Sequence, residues 1–362
     1  MSQFHTLTVK SVEPETDDSV AVVFDVPPQL AETFRFTQGQ HIVVRKKLGD
    51  QEVRRTYSIC AGVDDNMLRI AVKRMPGGVF STFANDDLKA GAQLDVLPPV
   101  GHFFTALDAA NRKTYVAFAV GPGITPILSI IKTTLAREPK SRFVLFYGNS
   151  TVSNVMFREE IEDLKNLYMA RFSVFHILSR EEQDVAILNG RLNGAKAKEL
   201  MTAFAPADVV DEVFICCPQD ATQEIIDTLS SMGVDKKHIH FELFHTESVV
   251  APKAKPEPTS AKASGAANTA HVSLILNGRK TEFDMPLDGS TTLLEVARDR
   301  DIDAPFSCKD GVCGTCRAKL VEGKVDMAVN YALEDDEVEA GYVLTCQSRP
   351  LTERIVIDYD QA

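Results

Sequence analysis

At 362 residues the chain exceeds what one hydrophobic core organises, which predicts two or three domains. Its 44% hydrophobic and 25% charged residues are typical of a globular protein, and no apolar run reaches membrane-spanning length. A net charge of −12 argues against nucleic acid as the main partner, since phosphate contacts need clustered Lys and Arg.

The opening stretch, "MSQFHTLTVKSVEPE", shows no basic-then-apolar signal pattern. The expectation is a reducing cytoplasm, where the seven cysteines stay as thiols or bind metal rather than pair.

In chain order, residues 1–107 carry the β-like runs "HTLTVKSV", "SVAVVFDV", "HIVVRKKL", "EVRRTYSIC", "LRIAVKR" and "QLDVLPPV". Turn signals and one helical patch, "STFANDDLK", interrupt them, and the pattern predicts a small antiparallel β-barrel. Across residues 108–244 the rhythm becomes apolar strand then amphipathic helix. "TYVAFAV" precedes "ITPILSIIKTTLARE", "RFVLFYG" precedes "FREEIEDLKNLYM", and "FSVFHIL" precedes "NGAKAKELMTAF". "EVFICC" then precedes "ATQEIIDTLSSMG", and "HIHFELF" closes. This alternation predicts a doubly wound α/β domain whose parallel sheet binds ligands at its strand C-termini.

Residues 245–270, rich in Ala, Pro, Lys, Ser and Thr, read as a flexible tether with a root-mean-square reach of about 25–30 Å. Residues 271–362 form a third domain with 18 acidic and 10 basic residues, a net of −8, and "LEDDEVEA" (333–340) supplies five of the acids. A single acidic run is an ordinary solvated face, but acidity concentrated in one small domain also steers a basic partner surface.

That third domain holds "FSCKDGVCGTC" and "GYVLTCQ", which give Cys308-x4-Cys313-x2-Cys316 and then Cys346. This is plant-type [2Fe–2S] spacing: two irons sharing two sulfides need four soft anionic ligands, three of them from one wrapped loop. Gly311 and Gly314 let the loop backbone turn its N–H groups toward the sulfurs. Zinc is the rival, but ribbon-type zinc sites show two close cysteine pairs, and here one pair and two single cysteines stand without a nearby His.

Arg55, Thr56, Tyr57 and Ser58 form an R-x-Y-S pattern on a predicted barrel strand; alone, it reads equally as a strand with its Tyr packed inward. Downstream, Gly77-Gly78 lead into a helix opened by Ser81, where free N–H groups, a helix dipole and a hydroxyl suit a phosphate. A stacking aromatic followed by an anion nest on a barrel is what a flavin nucleotide requires. "VGPGITP" (120–126) follows a predicted strand, so Gly121, Gly123 and Thr125 make a second candidate pyrophosphate cradle. The usual dinucleotide fingerprint is not met, because Pro126 replaces the third glycine and the next strand runs into "YGNS" without an acid. In "LSREE" (178–182), Ser179 and Glu182 fit a helix capping box, with Arg180 adding an anion donor. Cys60 reads as a small buried residue.

With these motifs in view, residues 1–244 resemble the ferredoxin–NADP reductase family, through R-x-Y-S, G-G-x-x-S, G-x-G-I-T-P and a closing E-x-aromatic. Residues 271–362 resemble plant-type ferredoxins, which implies a β-grasp-like α+β fold, and the whole order resembles oxygenase reductases. The resemblance implies FAD on the barrel, NADPH rather than NADH on the α/β domain, and a [2Fe–2S] cluster on Cys308, Cys313, Cys316 and Cys346. It implies that Arg55, beside Thr56, neutralises the flavin pyrophosphate and that Tyr57 stacks on the isoalloxazine, with the Ser58 hydroxyl near flavin N5. Gly78, Val79 and Ser81 would hold the pyrophosphate, and Val72 and Lys73 would add backbone contacts. Cys216 would approach the nicotinamide, Glu242 would join Ser58 and Cys216 as a catalytic residue, and Phe244 would cover the flavin face. Ser179 and Arg180 would hold the 2′-phosphate. The family turn reads Cys-Gly-Pro, here Cys216-Cys217-Pro218, which leaves open which cysteine faces the cofactor.

A nicotinamide delivers two electrons together, a cluster accepts one at a time, and a flavin can do both. The implied relay runs from NADPH to FAD to [2Fe–2S] and then to an external acceptor. No predicted helix carries the Glu-x-x-His pair of a di-iron site, so the oxygenase is expected to be another protein, and the resemblance to oxygenase reductases implies that it is a di-iron oxygenase. The alternatives are a reductase serving a Rieske or other aromatic or steroid oxygenase, and a diaphorase whose cluster is a redox sensor.

Overall fold

The computed structural model describes residues 3–244, 269–333 and 335–361, which fall into two compact bodies. One consists almost entirely of residues 5–244 and the other contains residues 269–361. The expected tether lies outside the described residues up to position 268.

In the first body the alternating runs become β1 (His5–Thr16), β2 (Ser19–Asp25), β3 (His41–Leu48), β4 (Gln51–Ser58), β5 (Leu68–Lys73) and β6 (Gln93–Val96). They make one sheet in the order β4-β3-β6-β1-β2-β5, and a bridge between Ile59 and Ile70 brings its two ends together as a barrel. Alternate residues point inward, so Leu7, Val22, Ile42 and Val72 are fully buried. α1 (Val79–Asp86), between β5 and β6, buries Phe80 and Ala84. It opens at Val79, two residues before the expected Ser81, because the Ser81 hydroxyl turns back into the preceding turn: Met75 N–H donates to it at 3.1 Å, and it donates to the Gly78 carbonyl at 3.2 Å.

The strand–helix repeats become β7 (Thr114–Val120), α2 (Ile124–Arg137), β8 (Arg142–Asn149), α3 (Arg158–Leu167) and β9 (Phe172–Leu178). α4 (Gly194–Phe204), β10 (Glu212–Cys216), α5 (Gln219–Ser231) and β11 (Ile239–Phe241) complete them. The five strands are parallel in the order β11-β10-β7-β8-β9, with apolar clusters on both faces. Strand order reverses between β7 and β10, and sheets of this kind hold ligands in the crevice at that point, outside the strand C-termini.

The expected capping box at Ser179 and Glu182 does not form, since no helix begins there. The N–H groups of Ser179 and Arg180 instead bond the carbonyls of Asn149 and Ser150, and Glu181 accepts from Val152 N–H at 2.8 Å. This segment is therefore laid along the exit of β8. The helix starts later, at Gly194, with Asn193 as its cap.

The second body has β12 (Thr269–Leu276), β13 (Arg279–Pro286), α6 (Leu293–Asp299), β14 (Arg317–Glu322), β15 (Val325–Met327), α7 (Asp335–Glu339), β16 (Tyr342–Leu344), β17 (Ser348–Pro350) and β18 (Arg354–Asp358). β12 begins at Thr269, so the last two residues assigned to the tether are strand. The main sheet, β13-β12-β18-β14-β16, pairs β12 and β18 in parallel at its centre, a β-grasp arrangement. Thr292 and Glu295 form a capping box on α6, and the long loop from α6 to β14 carries three of the clustered cysteines. Among the described residues, no helix is long and apolar enough to cross a membrane.

Candidate redox site

The barrel half starts at β4. Tyr57 is half-buried against Phe80 of α1, with ring centroids 5.6 Å apart, while Arg55 and Thr56 are partly exposed on the same strand. Facing α1, β5 offers Val72, whose carbonyl accepts from Asn85, and Lys73, whose ammonium lies 3.1 Å from Asp18. Gly77 has φ +77°, and a side chain on Gly78 would collide with the Ser81 hydroxyl. The first turn of α1 contains no acid, and no side chain caps it, so the positive end of the helix faces outward uncompensated. A tight glycine turn ahead of such a helix fits the pyrophosphate of FAD.

At the C-terminus of β7, Gly121 takes φ +52° and its carbonyl accepts from the buried Tyr147 hydroxyl at 3.1 Å. The Thr125 hydroxyl donates to the Pro122 carbonyl at 3.0 Å, closing the turn. Gly123 must be glycine for packing, because any side chain there would run into the carbonyl of Cys216 on β10. The first turn of α2 is likewise free of acids and side-chain caps, which fits a second anion.

Cys216, which ends β10, and Cys217, just past it, diverge. Cys216 joins the apolar cluster that contains Ile124 and Ile127 of α2, with its sulfur against Gly123. Cys217 joins the opposite face of the sheet, 3.6 Å from the Phe118 carbonyl. Alternation along a strand makes the assignment, and Cys216 is the one on the crevice side. Burial above all, with the Glu242 charge nearby, raises the Cys216 thiol well above its ordinary range, so it stays protonated.

The chain past β11 returns to the barrel. Glu242 N–H bonds the Ile215 carbonyl, which places the Glu242 carboxylate 3.1 Å from the Ser58 hydroxyl and 3.5 Å from Nδ1 of His41. Phe244 packs, partly buried, against the cluster that includes Cys216. Ser58, Cys216, Glu242 and Phe244, spread over 187 positions of sequence, thus share one locality. His41 was not singled out by the sequence: a lone histidine opening a barrel strand carries no local signal, and Glu242 reaches it from a distant part of the chain. Ser179 and Arg180 lie apart from this group, exposed beside the exit of β8, and among the described residues Arg180 forms no ion pair.

In the second body the four cysteines pair two and two. The Cys308 and Cys313 thiols are within hydrogen-bonding reach of each other, as are those of Cys316 and Cys346. Lys309, Gly311 and Gly314 all take positive φ, and a Cβ on Gly311 would lie 2.8 Å from the Val329 carbonyl oxygen. That backbone brings the Asp310 and Val312 N–H groups to Cys308 and the Gly311 N–H to Cys346. Gln347, buried, donates to the Lys309 carbonyl at 2.7 Å and braces the loop. Four soft donors, split into pairs and ringed by amides, fit a two-iron cluster with two cysteines per iron.

Comparison with known proteins matches this division. Residues 6–105 match the oxidoreductase FAD-binding domain, 118–224 the oxidoreductase NAD-binding domain, and 274–351 the 2Fe-2S iron-sulfur cluster binding domain. The chain is 39% identical to a subunit of the 1,2-phenylacetyl-CoA epoxidase of Escherichia coli, over 99% of both chains. It is 32% identical to the ferredoxin reductase component of 3-ketosteroid-9-alpha-monooxygenase from Rhodococcus rhodochrous, over 98% of this chain and 96% of that one. Among solved structures, phthalate dioxygenase reductase superposes over 98% of both chains with a TM-score of 0.58 and 26% identity. The FAD-binding barrel, the NAD-binding parallel sheet and the paired-cysteine domain therefore stand in one order along one chain, and this chain belongs to the FAD- and [2Fe–2S]-containing, NAD(P)H-dependent reductase components of multicomponent oxygenases.

Proposed function

We propose that this reductase takes its electrons from NADPH and serves a di-iron oxygenase that acts on phenylacetyl-CoA. The observation that carries the substrate is the 39% identity, end to end, with a component of phenylacetyl-CoA epoxidase. The di-iron character of the partner rests on the resemblance to oxygenase reductases, and among the described residues no helix carries a Glu-x-x-His pair. The preference for NADPH rests on Arg180, an exposed guanidinium with no ion pair among the described residues, next to Ser179 at the ligand end of the sheet. A net charge of −8 in residues 271–362 supports docking against a basic surface of the oxygenase.

When bound, FAD accepts two electrons together and releases them singly to a one-electron cluster. The residues of the chain prepare the site for that exchange. Gly78, Val79 and Ser81 would present amides to the flavin pyrophosphate with Arg55 and Thr56 on β4, and Val72 and Lys73 would contribute backbone. Tyr57 supplies a ring for stacking. Ser58, held by Glu242, offers a fixed hydroxyl at the reacting edge, and the neutral Cys216 thiol fills the crevice without adding charge. Gly121, Gly123 and Thr125 shape the nucleotide turn, and Phe244, packed beside Cys216, would cover the flavin face. Cys308 with Cys313, and Cys316 with Cys346, would each hold one iron of the cluster. The functional divisions are residues 1–107, 108–244 and the ferredoxin segment from 269, joined by the tether.

Reconstitution tests the reading. Purified chain, NADPH and phenylacetyl-CoA oxygenase components are expected to form epoxide in proportion to NADPH consumed. Equal or faster support of a steroid or Rieske oxygenase would transfer the assignment to the role of the 32% identical relative.

A further inference from the structure

Phe157, at the start of α3, is a buried aromatic residue with a left-handed backbone, φ 56°. Bulky residues avoid that region, and such strain persists only where neighbours overdetermine it. Two barrel residues do so. Glu15 of β1 accepts from the Phe157 N–H at 3.2 Å, and the Arg69 guanidinium of β5 lies 5.0 Å from the centre of the Phe157 ring.

Arg69 reaches further. Its Nη2 donates to Glu160 Oε2 on α3 at 2.7 Å and to the Cys60 carbonyl at 2.8 Å. The other Glu160 oxygen accepts from Lys132 of α2 at 2.5 Å, and Lys132 also pairs with Asp65, in the β4–β5 connection, at 2.5 Å. Arg69 retains only 14% of its side-chain exposure, Lys132 17% and Glu160 25%. Isolated surface pairs fix little, but a shielded network around a forked guanidinium fixes geometry.

The location gives the network its meaning. Cys60 is two residues past Ser58, α2 begins directly at the Gly121–Gly123 turn, and α3 follows the exit of β8. The network therefore joins the chain just past the strand bearing the flavin-side residues to α2, which rises from the nucleotide turn, and to its neighbour α3. We propose that Arg69, Glu160 and Lys132 are positioning residues for hydride transfer, setting the gap between the flavin strand and the nicotinamide crevice. The inference rests on the reductase reading above: a hydrogen leaves the reduced nicotinamide with its electron pair and enters the flavin, which is reduced as the nicotinamide is oxidised. Misplacing reacting groups by about 1 Å costs on the order of 100-fold in rate.

The test uses full-length holoprotein carrying Arg69→Met, Glu160→Gln, or both, mixed anaerobically with NADPH. Flavin content and NADPH dissociation constant are expected to stay within about twofold of wild type, while the hydride-transfer rate constant falls at least about 10-fold. The kinetic isotope effect with nicotinamide deuterated at the transferring carbon rises, the double variant is no slower than the slower single one, and Arg69→Lys recovers part of the rate. Hydrogen exchange at the first amides of α3 quickens, a readout independent of the flavin. Rates within about twofold of wild type in variants that keep their flavin would overturn the proposal, as would a slowing matched by equal loss of flavin or nucleotide affinity. If Arg69→Met does not fold, Glu160→Gln, which keeps the side-chain shape, decides on the same criteria. A wild-type protein that accepts no hydride from either nucleotide would defeat the functional reading instead.

Discussion

Ser58 and Glu242 are 184 residues apart in the chain, yet the Ser58 hydroxyl donates to Glu242 Oε2 at 3.1 Å. One residue ends a barrel strand and the other follows the last strand of the parallel domain, so the bond exists only when the two domains are assembled. Ser58→Ala is expected to slow flavin reduction by about 10- to 100-fold while FAD stays bound. Rapid-mixing absorbance at the flavin band measures it, and an unchanged rate would remove Ser58 from the reaction.

Cys346 lies beside Cys316, as Cys308 lies beside Cys313. Cys346→Ser is expected to deplete iron and acid-labile sulfide and to cut electron delivery to one-electron protein acceptors by about 100-fold, since the cluster is the one-electron exit. NADPH oxidation by ferricyanide, which draws directly on the flavin, should persist. Loss of both activities together would place the defect in folding instead.

Arg180 stands exposed at the ligand end of the sheet. Arg180→Ala is expected to raise the KM for NADPH by about 10-fold, the worth of a charge-assisted bond to phosphate, and to leave NADH kinetics alone. Equal efficiency of wild type with the two nucleotides would contradict a 2′-phosphate role.

How much of this could be read from residues alone depended on range. The barrel strands, the parallel strands and their helices follow from local periodicity, and each expected run became an element within a few residues. The cysteine spacing and the glycine turns are local too. The errors arose where tertiary bonds outbid local ones: the Ser81 hydroxyl closes the turn before α1 instead of opening it, and the Ser179 backbone bonds Asn149 in place of starting a helix. The partnership of His41 with Glu242 and the Arg69–Glu160–Lys132 network join segments about 30 to 200 residues apart, and periodicity carries no signal at that distance.

Glu212, at the start of β10, shows the same long-range character. Burial pushes its carboxyl up, but bonds from His240 at 3.0 Å and Lys113 at 2.7 Å, with His238 at 3.3 Å, outweigh burial and hold it down at about 2. Its folded value thus lies below the ordinary 4.5, so its contribution to stability is complete above pH 4.5 and lost as pH falls toward 2. Glu212→Gln is expected to lower stability at pH 7 by about 2–3 kcal/mol, with the difference shrinking through that acid window. Urea unfolding of both proteins at several pH values checks it, and a difference independent of pH would show that charge is not the cause.

The relay itself is tested most directly by anaerobic stopped-flow mixing of the holoprotein with NADPH, following flavin and cluster absorbance together and freezing samples for electron paramagnetic resonance. The account predicts that the cluster bleaches within one turnover and that a reduced-cluster signal grows in step. A flavin that turns over while the cluster stays oxidised would contradict it.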